Sequence, residues 1–296
     1  MKPGTLKAWY QASRPPFFVA TLIPLVLGAV VAGQVAEVSY VRWLVVLVAS
    51  FFVHLCTNLA NDYFDYLSGA DAGESIGGSR VIQEGKITSD QIRAALYILY
   101  GGALVLGLWL VWETQVLWLV PLMGFAFFSS LFYTAPPVRY GYHGLGEVFV
   151  GLNMGPVMVV GCAGALAGRF LPDALWVSAP VGVMVAMILY FQSLPDMETD
   201  FSTGKRTIAV RLGQGGALWG MRLFLAVALL SMLVLTAAGR ISIIGIASLL
   251  TLPLALKTDA VIRETEARQD LHDRGGLVRA FYLLNGAILI AAAAWA

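Results

Sequence analysis

Apolar runs of about 20 residues recur from one end of the chain to the other, separated by short polar intervals. A helix needs roughly 20 mainly apolar residues to cross a bilayer. Nine segments meet or approach that length: Phe17–Gly33, Val41–Leu59, Ile92–Trp112, Gln115–Phe132, Leu145–Ala167, Ala174–Leu194, Ala217–Ala238, Ile241–Leu256 and Leu277–Ala296. Backbone groups in hydrocarbon have no water to bond, so stretches this long form helices. The short alternating strands of a membrane barrel are missing from the pattern. The prediction is an all-α polytopic membrane protein, one domain over residues 1–296, with nine transmembrane helices around a central cavity.

Composition strengthens that reading. Of 296 residues, 58% are hydrophobic and 12% charged, with a mean hydropathy of +0.76. Soluble domains carry about 25% charged residues, so a globular protein with a single anchor is excluded. With the N-terminus inside, sixteen of the 19 Lys and Arg fall on the cytoplasmic side and only Arg42, Arg169 and Arg240 on the other. This bias orients the protein, and an error of one helix would scramble it. Phe17–Gly33 follows Lys2, Lys7 and Arg14 as a signal peptide would, but it is longer than a secretory apolar region and reads as a retained first helix. Cys56 and Cys162 both fall in predicted spans, suggesting packing residues rather than a disulfide or metal site.

Polar residues concentrate in four cytoplasmic loops: Asn61–Gln91, Tyr133–Gly144, Pro195–Gly216 and Lys257–Gly276. The first and third each follow an even-numbered helix and open with spaced aspartates. Asp62 and Asp196 are 134 residues apart, which suggests two four-helix halves plus a ninth helix, bringing both acidic loops to one mouth. Asn58, Asn61, Asp62 and Asp65 are spaced by three and four and share a helical face, with His54 one turn back. Asp196 and Asp200 point together, while Glu198 points elsewhere. Gly85-Lys86 follows the first cluster and Gly204-Lys205-Arg206 the second.

Carboxylates clustered at a membrane boundary repel one another unless a cation offsets them. Oxygen-only ligands suit magnesium, which takes one or two carboxylates plus phosphate oxygens; nearby Lys and Arg suit the rest of an anionic substrate. The middle loop adds Pro136 and Pro137, which block a regular helix, then Arg139 within reach of a diphosphate. Tyr133 and Tyr142 beside it offer π faces to a cation, although an interfacial aromatic belt explains such tyrosines equally well. The mixed charges of Lys257–Arg274 read as a solvated surface or short lid helix without chemistry.

Asn61-Asp62-Tyr63-Phe64-Asp65 with Gly69-Ala70-Asp71 resembles the first aspartate-rich motif of the UbiA-type intramembrane prenyltransferases. Asp196-Met-Glu-Thr-Asp200 followed by Gly204-Lys205-Arg206-Thr207 is similar to the second. Trp9, Arg14-Pro15 and the Tyr133-Thr-Ala-Pro136-Pro137 loop share the likeness, which spans nearly the whole chain. Gly78-Ser79-Arg80 and the run from Gly204 to Gly213 resemble the menaquinone-pathway branch, whose acceptor is 1,4-dihydroxy-2-naphthoate. Ser193-Leu-Pro195 departs from that branch, where Asn and Arg are frequent. The resemblance implies an inner-membrane enzyme, N-terminus and acidic motifs cytoplasmic, that moves a polyprenyl group from its diphosphate to an aromatic acceptor. Asn61, Asp65, Asp71, Asp196 and Asp200, with Asp62 close by, would hold two Mg2+ ions. Arg80, Arg139, Lys205 and Arg206 would bind the diphosphate, with Asp65, Asp196, Asp200 and Lys205 central to catalysis. Asn58, Tyr133 and Tyr142 would face the acceptor or the carbocation. The acceptor alternatives are 4-hydroxybenzoate or another phenolic or lipid compound. A cation-coupled transporter is the rival of a different class; it would place its ionisable groups nearer the bilayer midplane.

Overall fold

The computed structural model describes residues 5–69 and 76–296. Among these residues all regular structure is helical. α1 (Leu6–Ser13) ends at Arg14, which takes a left-handed conformation (φ 52°). A residue preceding proline is disfavoured in the α region, so Pro15-Pro16 stop the helix and one 3-10 turn leads to α2 (Val19–Gly33). The chain bends by 56° there.

α3 (Tyr40–Ser68) and α4 (Ser89–Thr114) pack against each other. α5 (Leu119–Phe132) is short, and α6 (Gly146–Leu152) continues through a π turn at Asn153–Val157 into α7 (Met158–Ala167). α8 (Pro172–Ser193), the small α9 (Met197–Ser202) and α10 (Ile208–Ala237) follow, the last broken at Gly213. A 3-10 stretch, Ile243–Thr251, leads into α11 (Leu252–Glu264); α12 (Arg268–Asp273) and α13 (Gly276–Ala294) complete the chain.

Seven of these helical units are long and apolar enough to cross a membrane, or eight if the bent α1–α2 pair counts as one. α5 is a shorter apolar helix of 14 residues, about 21 Å long at 1.5 Å per residue. Each of the nine predicted segments falls on one of these units. Three boundaries move by two turns or more. α3 runs on to Ser68 rather than stopping at Leu59, α10 begins at Ile208 rather than Ala217, and α11 reaches Glu264 rather than Leu256. Hydropathy registers where a helix leaves the apolar layer, whereas backbone hydrogen bonds continue until Gly69, in the left-handed conformation (φ 73°), caps α3.

α8 is apolar all round, as a helix enclosed by others must be. Val181, Met184, Met187, Tyr190 and Phe191 pack with Met221 and Met232 of α10 and with Phe281, Tyr282 and Leu289 of α13. The outer helices expose apolar side chains instead: Leu104, Val105 and Trp112 on α4, Leu223, Leu230 and Val234 on α10. Such a surface is stable only against hydrocarbon, so the chain is a multi-pass membrane protein. Both cysteines are buried and unbridged.

Lipid supplies little hydrophobic drive between helices, so small residues set their approach. A Cβ on Gly182 of α8 would lie 2.6 Å from the Gly151 carbonyl oxygen, and one on Gly155 2.8 Å from the Gly182 Cα. The π turn beside this contact holds Pro156, whose missing N–H the wider turn accommodates. Gly182→Val should therefore cost about 2 kcal/mol through overpacking, seen as a lower midpoint in thermal unfolding of the purified protein. An unchanged midpoint would contradict this tight contact.

Candidate active site

The last three turns of α3 carry Asn58, Asn61, Asp62 and Asp65 on one face, and both aspartates are 2% exposed. Asp65 accepts a hydrogen bond from the Tyr142 hydroxyl (2.7 Å). Asp62 accepts from the Arg14 guanidinium, from the Ser79 N–H (3.0 Å) and from the Ser79 hydroxyl. The Asn58 amide donates to the Ser13 carbonyl (3.2 Å), which fastens the end of α1 to α3. His54, one turn back, bonds the Thr21 hydroxyl (2.6 Å).

Asp196 stands at the N-terminus of α9. Its Oδ1 accepts from the Ile76 N–H (3.0 Å) and the Arg268 guanidinium (3.1 Å). The loop that leaves the first acidic motif thus touches the second directly. Gly204 adopts the left-handed region (φ 82°), and the chain turns so that the Lys205 N–H returns to the Asp200 carbonyl (2.8 Å). The Lys205 ammonium pairs with the Asp200 carboxylate at 3.4 Å. The middle loop is bound to the same segment, with the Arg206 N–H donating to the Tyr142 carbonyl (2.8 Å) and the Arg211 guanidinium to the His143 carbonyl (3.0 Å). Gly144 (φ 72°) permits this, since a Cβ there would meet the Arg206 carbonyl at 2.8 Å.

Asp65, Tyr142, Lys205 and Asp200 therefore form one connected group. Burial pushes the Asp200 carboxyl up to about 6; Lys205 opposes the rise and Asp196 adds to it. Burial also opposes charge on Lys205, but Asp200 and Asp65 outweigh it and hold the ammonium above its ordinary range. Burial, reinforced by the Asp65 charge, raises Tyr142, so its phenol stays protonated and donates. The Tyr142 ring lies 5.6 Å from the Arg139 guanidinium and 5.7 Å from the Lys205 ammonium, a face that already receives cations.

The remaining predicted residues fall variously. Arg139 (φ 43°) has a buried Nε without a hydrogen-bond partner, and Arg80 (φ 59°) follows Ser79. Tyr133 is half-buried, edge-on to Tyr140. Arg206 turns outward, stacking on the exposed Phe201 ring at 4.2 Å and donating to the Phe201 carbonyl. Asp71 lies outside the described residues. Glu198 is exposed, in keeping with its position between two inward aspartates. Arg14, Ser79 and Arg268 were not assigned roles from sequence. Arg268 corrects the reading of its loop as free of chemistry: α12 carries it onto Asp196, Thr199 Oγ1 (3.3 Å) and the Pro195 carbonyl.

Among the described residues no three His, Cys, Asp or Glu side chains form a ready metal cage. The donors on the two motifs are all oxygen, and the Asn61 Oδ1 is buried with no hydrogen-bond partner. These residues fit a hard divalent cation.

The sequence model of the UbiA prenyltransferase family matches residues 21–294. The 1,4-dihydroxy-2-naphthoate octaprenyltransferase of Bacillus subtilis is 29% identical over 210 residues, 70% of this chain and 67% of that protein. The 2-carboxy-1,4-naphthoquinone phytyltransferase of Synechocystis is 30% identical over 213 residues, 71% of this chain and 68% of the relative. The apo structure of a UbiA homolog from Aeropyrum pernix superposes with a TM-score of 0.69 at 18% identity, covering 93% of this chain and 97% of its own. A UbiA homolog from Archaeoglobus fulgidus, solved with GPP and Mg2+, gives 0.64 at 15% identity, covering 96% and 99%.

Removing one member of the buried Lys205–Asp200 pair leaves the other uncompensated. Lys205→Met should destabilise the protein by about 3 kcal/mol, and Lys205→Met with Asp200→Asn should restore part of that loss. Strictly additive losses in the double-mutant cycle would contradict the pairing.

Proposed function

The chain belongs to the UbiA prenyltransferase family, and we propose that it transfers a polyprenyl group from a polyprenyl diphosphate to 1,4-dihydroxy-2-naphthoate in menaquinone biosynthesis. That it is a prenyltransferase follows from the family; the acceptor rests on relatives named for naphthoate substrates. The single observation supporting the site is the joining of the two acidic motifs, through Ile76 to Asp196 (3.0 Å) and through Tyr142 between Asp65 and Lys205. In this reading residues 1–296 form one domain in the cytoplasmic membrane, with nine spans in two four-helix halves plus one, and with the N-terminus and both motifs on the cytoplasmic side.

Asn61, Asp65, Asp196 and Asp200, joined by Asp71, would hold Mg2+, which would supply neutralisation of the charge that develops on the diphosphate leaving group. Lys205, Arg139 and Arg80 take the remaining phosphate oxygens, and Arg206 reaches them by leaving Phe201. These cations stabilise the diphosphate as its ester C–O bond breaks. The Tyr142 ring, together with Tyr133 and Asn58, faces the allylic carbocation or the acceptor, the ring through its π density. The apolar helices exclude water that would quench the cation. The acceptor ring carbon then forms the new C–C bond, and the naphthoate carboxylate leaves as carbon dioxide.

Purified protein with Mg2+, geranylgeranyl diphosphate and 1,4-dihydroxy-2-naphthoate should yield a prenylated, decarboxylated naphthoquinol by mass spectrometry. Product from 4-hydroxybenzoate and none from the naphthoate would reassign the acceptor. Asp65→Ala and Asp196→Ala should each lower turnover by at least about a hundredfold while the folded protein stays in the membrane. EDTA should abolish transfer and excess Mg2+ should restore it; full activity in EDTA would rule out the metal mechanism.

A further inference from the structure

Asn61 and Asp62 are adjacent on α3, yet their oxygens are in opposite states. The Asn61 Oδ1 is buried with no partner. Asp62 is the more buried residue, and both its oxygens are engaged: Oδ1 by the Arg14 guanidinium and the Ser79 N–H, Oδ2 by the Ser79 hydroxyl. A carboxylate offers about four lone-pair positions, and three are filled from the chain itself. The fourth, on Oδ2, lies beside the Ser79 hydroxyl in a buried site, so a metal ion at Asp62 would have to compete with three hydrogen bonds already made.

The partners of Asp62 are themselves tied together. The Gln11 amide of α1 donates to the Ser79 carbonyl (2.8 Å), and the Lys86 ammonium donates to Gln11 Oε1 (2.8 Å). Asn58, one turn before Asp62, holds the Ser13 carbonyl. Arg14 and Arg80 both take left-handed backbone conformations, φ 52° and φ 59°, which non-glycine residues keep only where the surroundings impose them. The segment that leads into Arg80 is fixed at two points, at Ile76 by Asp196 and at Ser79 by Asp62. Fixing Ser79 sets the backbone from which Arg80 projects.

We propose that Asp62 is a positioning residue rather than a metal ligand: with Arg14 and Ser79 it clamps the Ser79–Arg80 turn against α1 and α3 and thereby aims Arg80 at the diphosphate. This deepens the prenyltransferase reading above and depends on it for the role of Arg80.

The test compares wild type, Asp62→Asn, Ser79→Ala, their double variant and Asp196→Asn, all as full-length protein in lipid nanodiscs. Three quantities are measured: KM for geranylgeranyl diphosphate at saturating Mg2+, Mn2+ binding by electron paramagnetic resonance with the unreactive geranylgeranyl thiodiphosphate, and the rate of tryptic cleavage after Arg80 and Lys86. Loss of a charge-assisted hydrogen bond predicts a KM raised roughly tenfold in Asp62→Asn and in Ser79→Ala. Cleavage should be faster in both, the double variant should be no worse than the worse single, and Mn2+ affinity should stay within about twofold of wild type. Mn2+ affinity lost in Asp62→Asn to the extent seen in Asp196→Asn, with unchanged cleavage, would overturn the proposal. Should Asp62→Asn fail to fold, Ser79→Ala decides alone: higher KM with faster cleavage supports the clamp, and neither change refutes it. A wild type that transfers no prenyl group refutes the functional reading instead, and the cleavage rates still judge the clamp.

Discussion

Buried carboxylates beside a membrane are tolerable only when each has a partner, because an isolated charge in a low-dielectric setting costs far more than any single packing contact returns. In this chain every described aspartate of the two acidic motifs meets that demand, three with groups from elsewhere in the fold and Asp200 with the neighbouring Lys205. Asp62 has Arg14 and Ser79, Asp65 has the Tyr142 hydroxyl, Asp196 has Arg268 and the Ile76 N–H, and Asp200 has Lys205. These bonds join α1, α3, the 133–144 loop, α9 and α12 at one end of the helical bundle. The proposed metal–diphosphate site is therefore also the point where the polar ends of distant helices are held in register.

The same requirement explains why the opposite end has a different character. Its few charged groups are half-buried or exposed and pair between neighbouring elements, Arg42 with Glu113 and Arg240 with Asp173, and contacts of that kind contribute little to stability. Between the two ends, α8 is buried or half-buried from Pro180 to Ser193, and small residues let α6 and its π turn approach it closely. A rigid apolar frame is what allows the acidic end to keep costly left-handed turns at Arg14, Arg80 and Arg139. For a prenyltransferase the frame has a second use, since it keeps water from a carbocation.

Local sequence carries much of this. Apolar run lengths locate the helices, and spacings of three and four put Asp62 and Asp65 on the buried face of α3. The Gly-Lys-Arg element marks Lys205 as a cation beside the second motif, but its pairing with Asp200 is seen only once the left-handed turn at Gly204 is in place. What is not legible depends on tertiary pairing. Arg268 sits in a run of mixed charges that looks solvated, and only the placement of α12 brings it to Asp196. Arg206 looks equivalent to Lys205 in the sequence, yet the turn sends one inward and the other onto Phe201. The extent of α3 beyond Leu59 escapes a hydropathy reading because polar side chains continue the helix once it leaves the apolar layer.

The most direct measurement is a structure of the membrane-embedded protein with Mg2+ and geranylgeranyl thiodiphosphate. The account predicts the diphosphate bridged through metal to Asp65 on one side and to Asp196 and Asp200 on the other, with Arg268 drawn off Asp196. A diphosphate bound to one motif alone, with the other still closed by its own cation, would contradict it.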